Sequence, residues 1–247
     1  ADSLTRMFGK NELPPKEEYI RKISLSEEEQ KLYYACVQAA VADLGDEQSK
    51  LQILAALTRL RQVCCDPGLC FENFEGPTSK LDACVELCEA MAENGHQILL
   101  FSQFTSMLDR LRERLDALHI SNFTLQGSTP KEKRAAMVKA FNAGGASVFL
   151  ISLKADGTGL NLTAADIVIH YDPWWNQAAQ DQATDRAHRI GQQAHVQVYK
   201  LIAKDTIEEK ILELQEKKAA LLDTISGCEE AGILNMSSEE LLSLLKS

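Results

Sequence analysis

The chain has 247 residues, 45% hydrophobic and 25% charged, the proportions of a soluble globular protein. It is long enough to bury roughly 70 to 75% of its unfolded surface in one large domain, with or without an accessory piece. No apolar run approaches the ~20 residues that span a bilayer and no signal-peptide pattern opens the chain, so an intracellular protein with no membrane partner is expected. A formal charge of −10 argues against a simple electrostatic nucleic-acid binder, for which a basic domain is the usual signature.

The chain opens Ala1-Asp2-Ser3 without Met and is expected to be an excised fragment. Residues 1–78 read as a mostly helical extension, distinct from the remainder of the chain. Leu13-Pro14-Pro15-Lys16 excludes helix and leads into an extended segment from Glu18 to Leu25. Ser26 then caps a helix, with Glu29 completing a capping box, and Leu32, Tyr33, Cys36, Val37 and Ala40 give it one apolar face. Leu51, Leu54, Leu57, Leu60 and Leu69 flank Arg59 and Arg61 in a second helix, which Asp66-Pro67-Gly68 stops; a hairpin that only packs would suffice. The seven cysteines include Cys64-Cys65 with Cys70 and the helical pair Cys84 and Cys88. No His lies near enough to complete a zinc set, so reduced, buried thiols are the reading and no metal site is expected.

From Lys80 the pattern alternates: helix 80–94 ending at Gly95, strand Gln97–Ser102, helix Thr105–Leu118, strand Asn122–Leu125, helix Pro130–Asn142 and strand 147–152. After a central stretch come strand Val196–Ile202 and helix Thr206–Ile225. Strands separated by helices of this length predict an α/β fold, a parallel sheet with helices on both faces joined by right-handed crossovers. Ligands of such sheets gather at the carboxyl ends of the strands, and Ser102, Gly127, Ser152 and Asp172 each follow a strand. Residues 99–139 carry 7 basic and 4 acidic groups, against 10 and 17 in residues 1–98 and 4 and 10 in 205–247. The basic field is therefore local, which is enough to touch a phosphate backbone over a few loops.

Gly127-Ser128-Thr129-Pro130 precedes a helix with Pro130 at its first position, making Thr129 the natural N-cap and the helix start a phosphate-suited end; a capped helix with no ligand is the plainer alternative. In the central stretch, Val148–Ser152 is a buried strand, Gly157 and Gly159 let backbone approach a ligand closely, and Asp166–Tyr171 is a second apolar run. A helix comes next, between N-cap Asn176 and stop Gly191. On it Gln182, Arg186 and Arg189 fall at i, i+4 and i+7 and share one face. Two guanidiniums there suit a transferring phosphoryl group, although Asp185 and Arg189 at i, i+4 also fit an ordinary surface pair with Arg186 solvated. Trp174 and Trp175 suit a core, and His188 a packed or capping role.

Gln182-Ala183-Thr184-Asp185-Arg186-Ala187-His188-Arg189-Ile190-Gly191-Gln192 resembles the last helicase motif of the Swi/Snf-type DNA-dependent ATPases, a branch of superfamily 2. Ser152-Leu153-Lys154-Ala155-Asp156-Gly157-Thr158-Gly159-Leu160-Asn161-Leu162 is similar to the motif before it, and Tyr171-Asp172-Pro173-Trp174-Trp175-Asn176 to the signature between them. LPPK, LxxLRQVCCDP and Ser79-Lys80-Leu81 resemble the approach to the second motor lobe, Thr206–Lys210 the helix that braces the lobes, and Met236–Leu245 a short C-terminal helix of bacterial and repair-related members. The resemblance implies a RecA-like helicase C-terminal lobe at 79–204, with the helical extension at 1–78 and brace helices at 205–247. It also implies residue roles: Arg186 and Arg189 neutralising the γ-phosphate with Gln182 orienting them, and Gly157, Gly159 and Asn161 on the ATP side. Ser102, Gln103, Gly127, Ser128, Thr129, Arg134, Ser152 and Lys154 would contact DNA, with Trp175 as a lever against its backbone. The sequence departs from the family at Asp156, where a second glycine is usual, at Gln177, where proline is usual, and in lacking an arginine doublet ahead of LPPK.

No G-x-x-x-x-G-K-[ST] and no Asp-Glu-Ala-His tetrad occurs in the chain. The expectation is half of an ATP-hydrolysing site, with ATP as cofactor and Mg2+ held mainly by an N-terminal motor lobe of the same polypeptide. Double-stranded DNA and a DNA-bound protein of unknown identity are the expected partners, in the cytoplasm or nucleoid of a prokaryote or the nucleus of a eukaryote. The family generally translocates along duplex rather than separating strands; the alternatives are a non-catalytic RecA-like module binding DNA or protein, and a strand-separating superfamily 2 helicase.

Overall fold

The computed structural model describes residues 16–43, 49–153, 160–187, 195–222 and 236–246. Within them one parallel six-stranded sheet runs in the order β1-β6-β5-β2-β4-β3, built from β1 (Lys16–Ile23), β2 (Ile98–Ser102), β3 (Asn122–Leu125), β4 (Val148–Ser152), β5 (Ile167–His170) and β6 (Val196–Ala203). The central strands are buried along their whole length, as continuous apolar runs must be when helices cover both faces. Alternate residues feed opposite cores. Ile98 and Leu100 point with Val148, Leu150, Ile167 and Ile169 toward α3 (Ser79–Glu93) and α4 (Thr105–Ala117). Leu99, Phe101, Phe149, Ile151 and Val168 face α5 (Lys131–Asn142) and α6 (Gln177–Thr184).

The extended segment expected near Glu18 is β1, which pairs in parallel with β6 from Lys16↔Val196 to Ile23↔Ala203 and forms one sheet edge. The capping box at the next helix, α1 (Glu27–Asp43), is present: the Glu29 N–H donates to Ser26 Oγ at 3.1 Å and the Ser26 N–H to Glu29 Oε2 at 2.8 Å. The same buried carboxylate accepts the Ser79 N–H at 2.9 Å, so the cap of α1 also fastens the start of α3. A second capping box, Ser49 with Gln52, opens α2 (Lys50–Cys65), which Asp66-Pro67-Gly68 stops as expected. Asp66 accepts the Gly68 N–H and a 3-10 turn, Pro67–Leu69, takes over. A third core joins α1 and α2 to α7 (Ile207–Leu222) and α8 (Ser238–Lys246) through Leu57, Leu60, Ile207, Ile211, Leu241 and Leu245. Gly95 ends α3 as expected, at φ 80°, where a side chain would be strained.

Lys80 and Glu208 tie α3 to α7 inside the fold. Lys80 Nζ donates to both Glu208 oxygens at 2.7 and 2.6 Å and lies 5.0 Å from the Tyr171 ring centroid, while Glu208 also accepts the Ala203 N–H at 2.7 Å. Burial alone would push the Lys80 ammonium down, but Glu208 outweighs it and the pKa lies above the usual lysine value. Among the described residues no helix is long and apolar enough to cross a membrane, and no group of three His, Cys, Asp or Glu could hold a metal ion. Cys64, Cys65, Cys84 and Cys88 are buried free thiols, the expected state.

Candidate functional site at the carboxyl edge of the sheet

Among the described residues, the loops after β2, β3 and β5 gather where the strands end. Ser102 closes β2 fully buried, and its hydroxyl donates to Asp172 Oδ1 at 2.6 Å. A role for that hydroxyl on DNA gives way to one inside the protein: it braces the half-buried Gln103-Phe104 loop and accepts the Phe104 N–H at 3.2 Å. The Gln103 N–H points at both Asp172 oxygens at 3.3 Å, and Gln103 Nε2 donates to the Pro173 carbonyl at 2.9 Å. Asp172 is itself wholly buried. Burial raises its pKa, opposed by Arg61, by the Ser102 hydroxyl, by Lys80 and by the Gln103 N–H.

Arg61 reaches this cluster from α2. The residue is 3% exposed; its guanidinium donates to the Pro173 carbonyl at 2.8 Å and stands 3.5 Å from Asp172 Oδ2, with Cζ over the rings of Phe104 and Trp175 at 5.4 and 5.3 Å. The two tryptophans divide: Trp174 is buried in the core beside α6, whereas Trp175 is half-buried against the α1–α2–α7 core. Trp174 is thus the core aromatic, and Trp175 keeps an exposed part at the edge.

After β3, Thr129 does not cap α5. Pro130 occupies the cap position in extended backbone, and the Thr129 hydroxyl instead accepts the Gln126 N–H at 3.0 Å, closing a Gln126–Thr129 turn. Arg134 bends back over the same turn, donating to the Thr129 and Gly127 carbonyls at 2.7 Å each and to Gln126 at 3.4 Å. With three carbonyls taken by Arg134 and the Gln126 and Thr129 amides bonded within the turn, the small residues Gly127 and Ser128 are left exposed, with Lys131 and Lys133 exposed beside them. Arg134 therefore shapes the loop rather than reaching from it. Ser152 ends β4 in the interior.

The arginine helix differs from its expected course. Asn176 caps it as expected, accepting the Ala178 and Ala179 N–H groups at 3.0 and 3.4 Å, and Gln177 at the first position donates to Asp181 at 2.8 Å. The helix ends at Thr184, however. The Arg186 N–H bonds to the Ala183 carbonyl and the Ala187 N–H to that of Thr184, and such i→i+3 bonds tighten the last turn and rotate the positions beyond it. Gln182 is exposed while Arg186 is 2% exposed, so the two do not share one open face. Lys154, Gly157, Gly159, His188, Arg189 and Gly191 lie outside the described residues.

Three hydrogen bonds locate the Arg186 turn. The Leu162 N–H donates to the Arg186 carbonyl at 3.1 Å, and Asn142, the last residue of α5, donates to the Asn161 carbonyl at 2.9 Å and accepts the Ala164 N–H at 3.3 Å. Because α5 starts at the carboxyl edge and runs back toward the start of β4, Asn161 and Arg186 sit toward the amino side. Gln103, Gly127, Ser128 and Trp175 thus form one group on the carboxyl edge, and exposed Asn161 forms another beside the arginine turn. Ser102, Gly127, Ser152 and Asp172 lie at the carboxyl ends of β2, β3, β4 and β5, as expected, whereas Asn161 and Arg186 do not.

Sequence reasoning passed over Arg61, Asp172, Lys80 and Glu208 as functional residues. The signal for Arg61 was present: it lies one helical turn after Leu57 and beside Leu60, in the buried stripe of α2, where an arginine needs a partner.

Residues 79–191 match the helicase conserved C-terminal domain, and residues 4–69 match the SNF2-related domain. A putative ATP-dependent helicase/translocase of Bacillus subtilis, YwqA, is 40% identical over 238 residues, covering 93% of this chain and 26% of its own length. The human SWI/SNF-related matrix-associated actin-dependent regulator of chromatin subfamily A member 1 is 36% identical over 225 residues, 85% of this chain and 22% of the human protein. The chain spans about a quarter of the length of the curated relatives it matches. Among solved structures, the C-terminal domain of the Sulfolobus solfataricus SWI2/SNF2 ATPase superposes with a TM-score of 0.74 at 28% identity, covering 94% of this chain and 98% of that one. The core of the same ATPase in complex with double-stranded DNA gives a TM-score of 0.77 at 30% identity over 94% of this chain and 50% of that one.

Proposed function

The chain belongs to the Swi/Snf family of ATPases, as a RecA-like C-terminal region, and from that premise we propose that it is the second motor lobe of an ATP-driven translocase on double-stranded DNA that displaces or remodels bound protein. The observation that carries the reading is the separation of two groups. Backbone amides and small residues of the 103–104 and 126–129 loops, with Trp175, occupy the carboxyl edge, while the Leu162–Arg186 hydrogen bond sets exposed Asn161 beside the arginine turn. A motor needs its track and its fuel on different surfaces of one rigid lobe, so that a change at one is felt at the other.

On this reading Gly127 and Ser128 hold the DNA backbone through amides that carry no sequence information, the Gln103 loop lies beside them with its own amides bonded to Asp172 and Pro173, and Lys131 and Lys133 add a local positive field. Asn161 and Gln182 face the nucleotide, and Arg189 answers the γ-phosphate, with Arg186 buried in the turn that follows α6. ATP supplies the anhydride whose hydrolysis drives the cycle. Mg2+ is assigned to a preceding lobe of the same polypeptide, together with the phosphate loop, neither motif being in this sequence. Alone, these 247 residues should show no DNA-stimulated ATP turnover and should bind duplex weakly, with the shallow salt dependence of a few phosphate contacts. The cell's DNA compartment, nucleoid or nucleus, is the corresponding location.

The test is made in the full-length protein. Arg189→Ala should leave ATP binding and folding nearly intact and lower hydrolysis on the order of 10³-fold or more, as for arginine fingers, with Asp185→Ala as the matched control. Equal and small losses for both would reduce the arginine to a surface pair and overturn the assignment; turnover by the isolated chain above an Arg186→Ala/Arg189→Ala control would overturn the two-lobe account.

A further inference from the structure

The geometry points to Arg61 as a positioning residue for the proposed DNA face: one guanidinium fixes the loop after β2, the loop after β5 and the Trp175 indole as a single unit. The inference rests on the reading of that edge as a DNA-backbone site and adds to it a residue on α2, outside the loops themselves.

In its plane, Arg61 donates to the Pro173 carbonyl at 2.8 Å and meets Asp172 Oδ2 at 3.5 Å. Its Cζ also lies over the Phe104 and Trp175 rings, at 5.4 and 5.3 Å from their centroids. Asp172 in turn holds the other loop through Ser102 Oγ at 2.6 Å and the Gln103 N–H at 3.3 Å, and Gln103 Nε2 shares the Pro173 carbonyl at 2.9 Å. Arg61 and the loop after β2 thus converge on the same two acceptors of the loop after β5, the Asp172 carboxylate and the Pro173 carbonyl.

The choice of arginine follows from these demands. A planar guanidinium bonds at its edge and stacks on its faces at once, whereas an ammonium is a compact point charge that cannot be clamped flat between two rings. Stability does not call for the arrangement, since a buried ion pair is commonly no more stabilising than apolar side chains of the same volume. Arg61 also stands in the apolar stripe of α2 with Leu57, Leu60 and Cys64, where an apolar residue would serve packing alone. What the pair supplies is register: the exposed amides beyond Gln103 and the half-buried indole are held at a fixed separation. Misplacement of a binding loop by about 1 Å can cost on the order of 10²-fold.

The experiment uses the full-length protein and reads ATPase rate against duplex-DNA concentration and, separately, against ATP. Arg61→Lys keeps a positive charge beside Asp172 and is expected to unfold near the wild-type temperature. It should nevertheless raise the DNA concentration for half-maximal stimulation by on the order of 10 to 10²-fold, with the KM for ATP within twofold of wild type. A merely structural arginine would be rescued by lysine, and half-saturation within twofold of wild type would overturn the inference. Should Arg61→Lys fail to fold, the double variant Arg61→Met/Asp172→Asn removes both buried charges at similar volume. The same rise in DNA half-saturation then supports the inference, and wild-type half-saturation overturns it. A wild-type protein with no DNA stimulation at all sinks the translocase reading and this inference with it. Normal wild-type stimulation with indifferent Arg61 variants sinks the inference alone.

Discussion

Replacing Lys80 by Met should be among the most costly single changes in this lobe, and the size of the loss can be worked from its surroundings. Glu208 is fully buried and, among the described residues, accepts from two groups, Lys80 Nζ at 2.7 and 2.6 Å and the Ala203 N–H at 2.7 Å. Lys80→Met leaves a desolvated carboxylate with one backbone donor. Breaking a buried pair from one side costs about 3 to 5 kcal/mol, or roughly 6 to 20 °C in Tm for a domain of this size. The loss should shrink with falling pH, because the orphaned carboxyl escapes its penalty by taking a proton; between pH 7 and pH 5 the gap from wild type is expected to narrow. The double variant Lys80→Met/Glu208→Gln retains an acceptor for the Ala203 N–H and no charge, and should recover about 2 to 3 kcal/mol of the loss. Urea unfolding of the four proteins of this cycle at both pH values measures each quantity. A cost for Lys80→Met below about 1 kcal/mol, unchanged between the two pH values, would refute the view that this ion pair fastens α7 to the sheet.

Burial, with the Lys200 charge adding to it, lowers the His170 pKa from 6.5 to about 3; the unfolded imidazole therefore binds a proton that the folded one refuses between those values. The associated stability is complete above pH 6.5 and is lost as pH falls toward 3, amounting to about 2 to 3 kcal/mol between pH 6.5 and 4.5. His170→Gln should flatten that part of the stability profile in urea titrations, and parallel profiles for the two proteins would dismiss the histidine as its source. Arg134→Ala should release the three carbonyls of the 126–129 turn, raising amide exchange there and weakening duplex binding by the full-length protein more than Lys133→Ala, which removes one exposed charge only. Equal losses in binding would mean that Arg134 contributes charge and no shape.

The local grammar of the chain was legible without coordinates. Apolar runs of five residues marked β2 and β4, Gly95 marked the end of α3, and the Ser26–Glu29 and Asn176 caps are where their side-chain chemistry requires them, because strand burial, left-handed φ and capping each depend on residues close in sequence. The family strings likewise announced a RecA-like lobe. Other features depend on partners far apart in the chain. Glu18 pairs with Val198 in the sheet, Arg61 meets Asp172 and Lys80 meets Glu208, and nothing near any of these residues names its counterpart. The end of α6 at Thr184 was decided in the same way: the Arg186 carbonyl is taken by the Leu162 N–H, and the chain turns there with Arg186 inward. Spacing along a helix assigns side chains to a face only while the helix continues, and where it stops depends on which distant backbone group takes its last carbonyls.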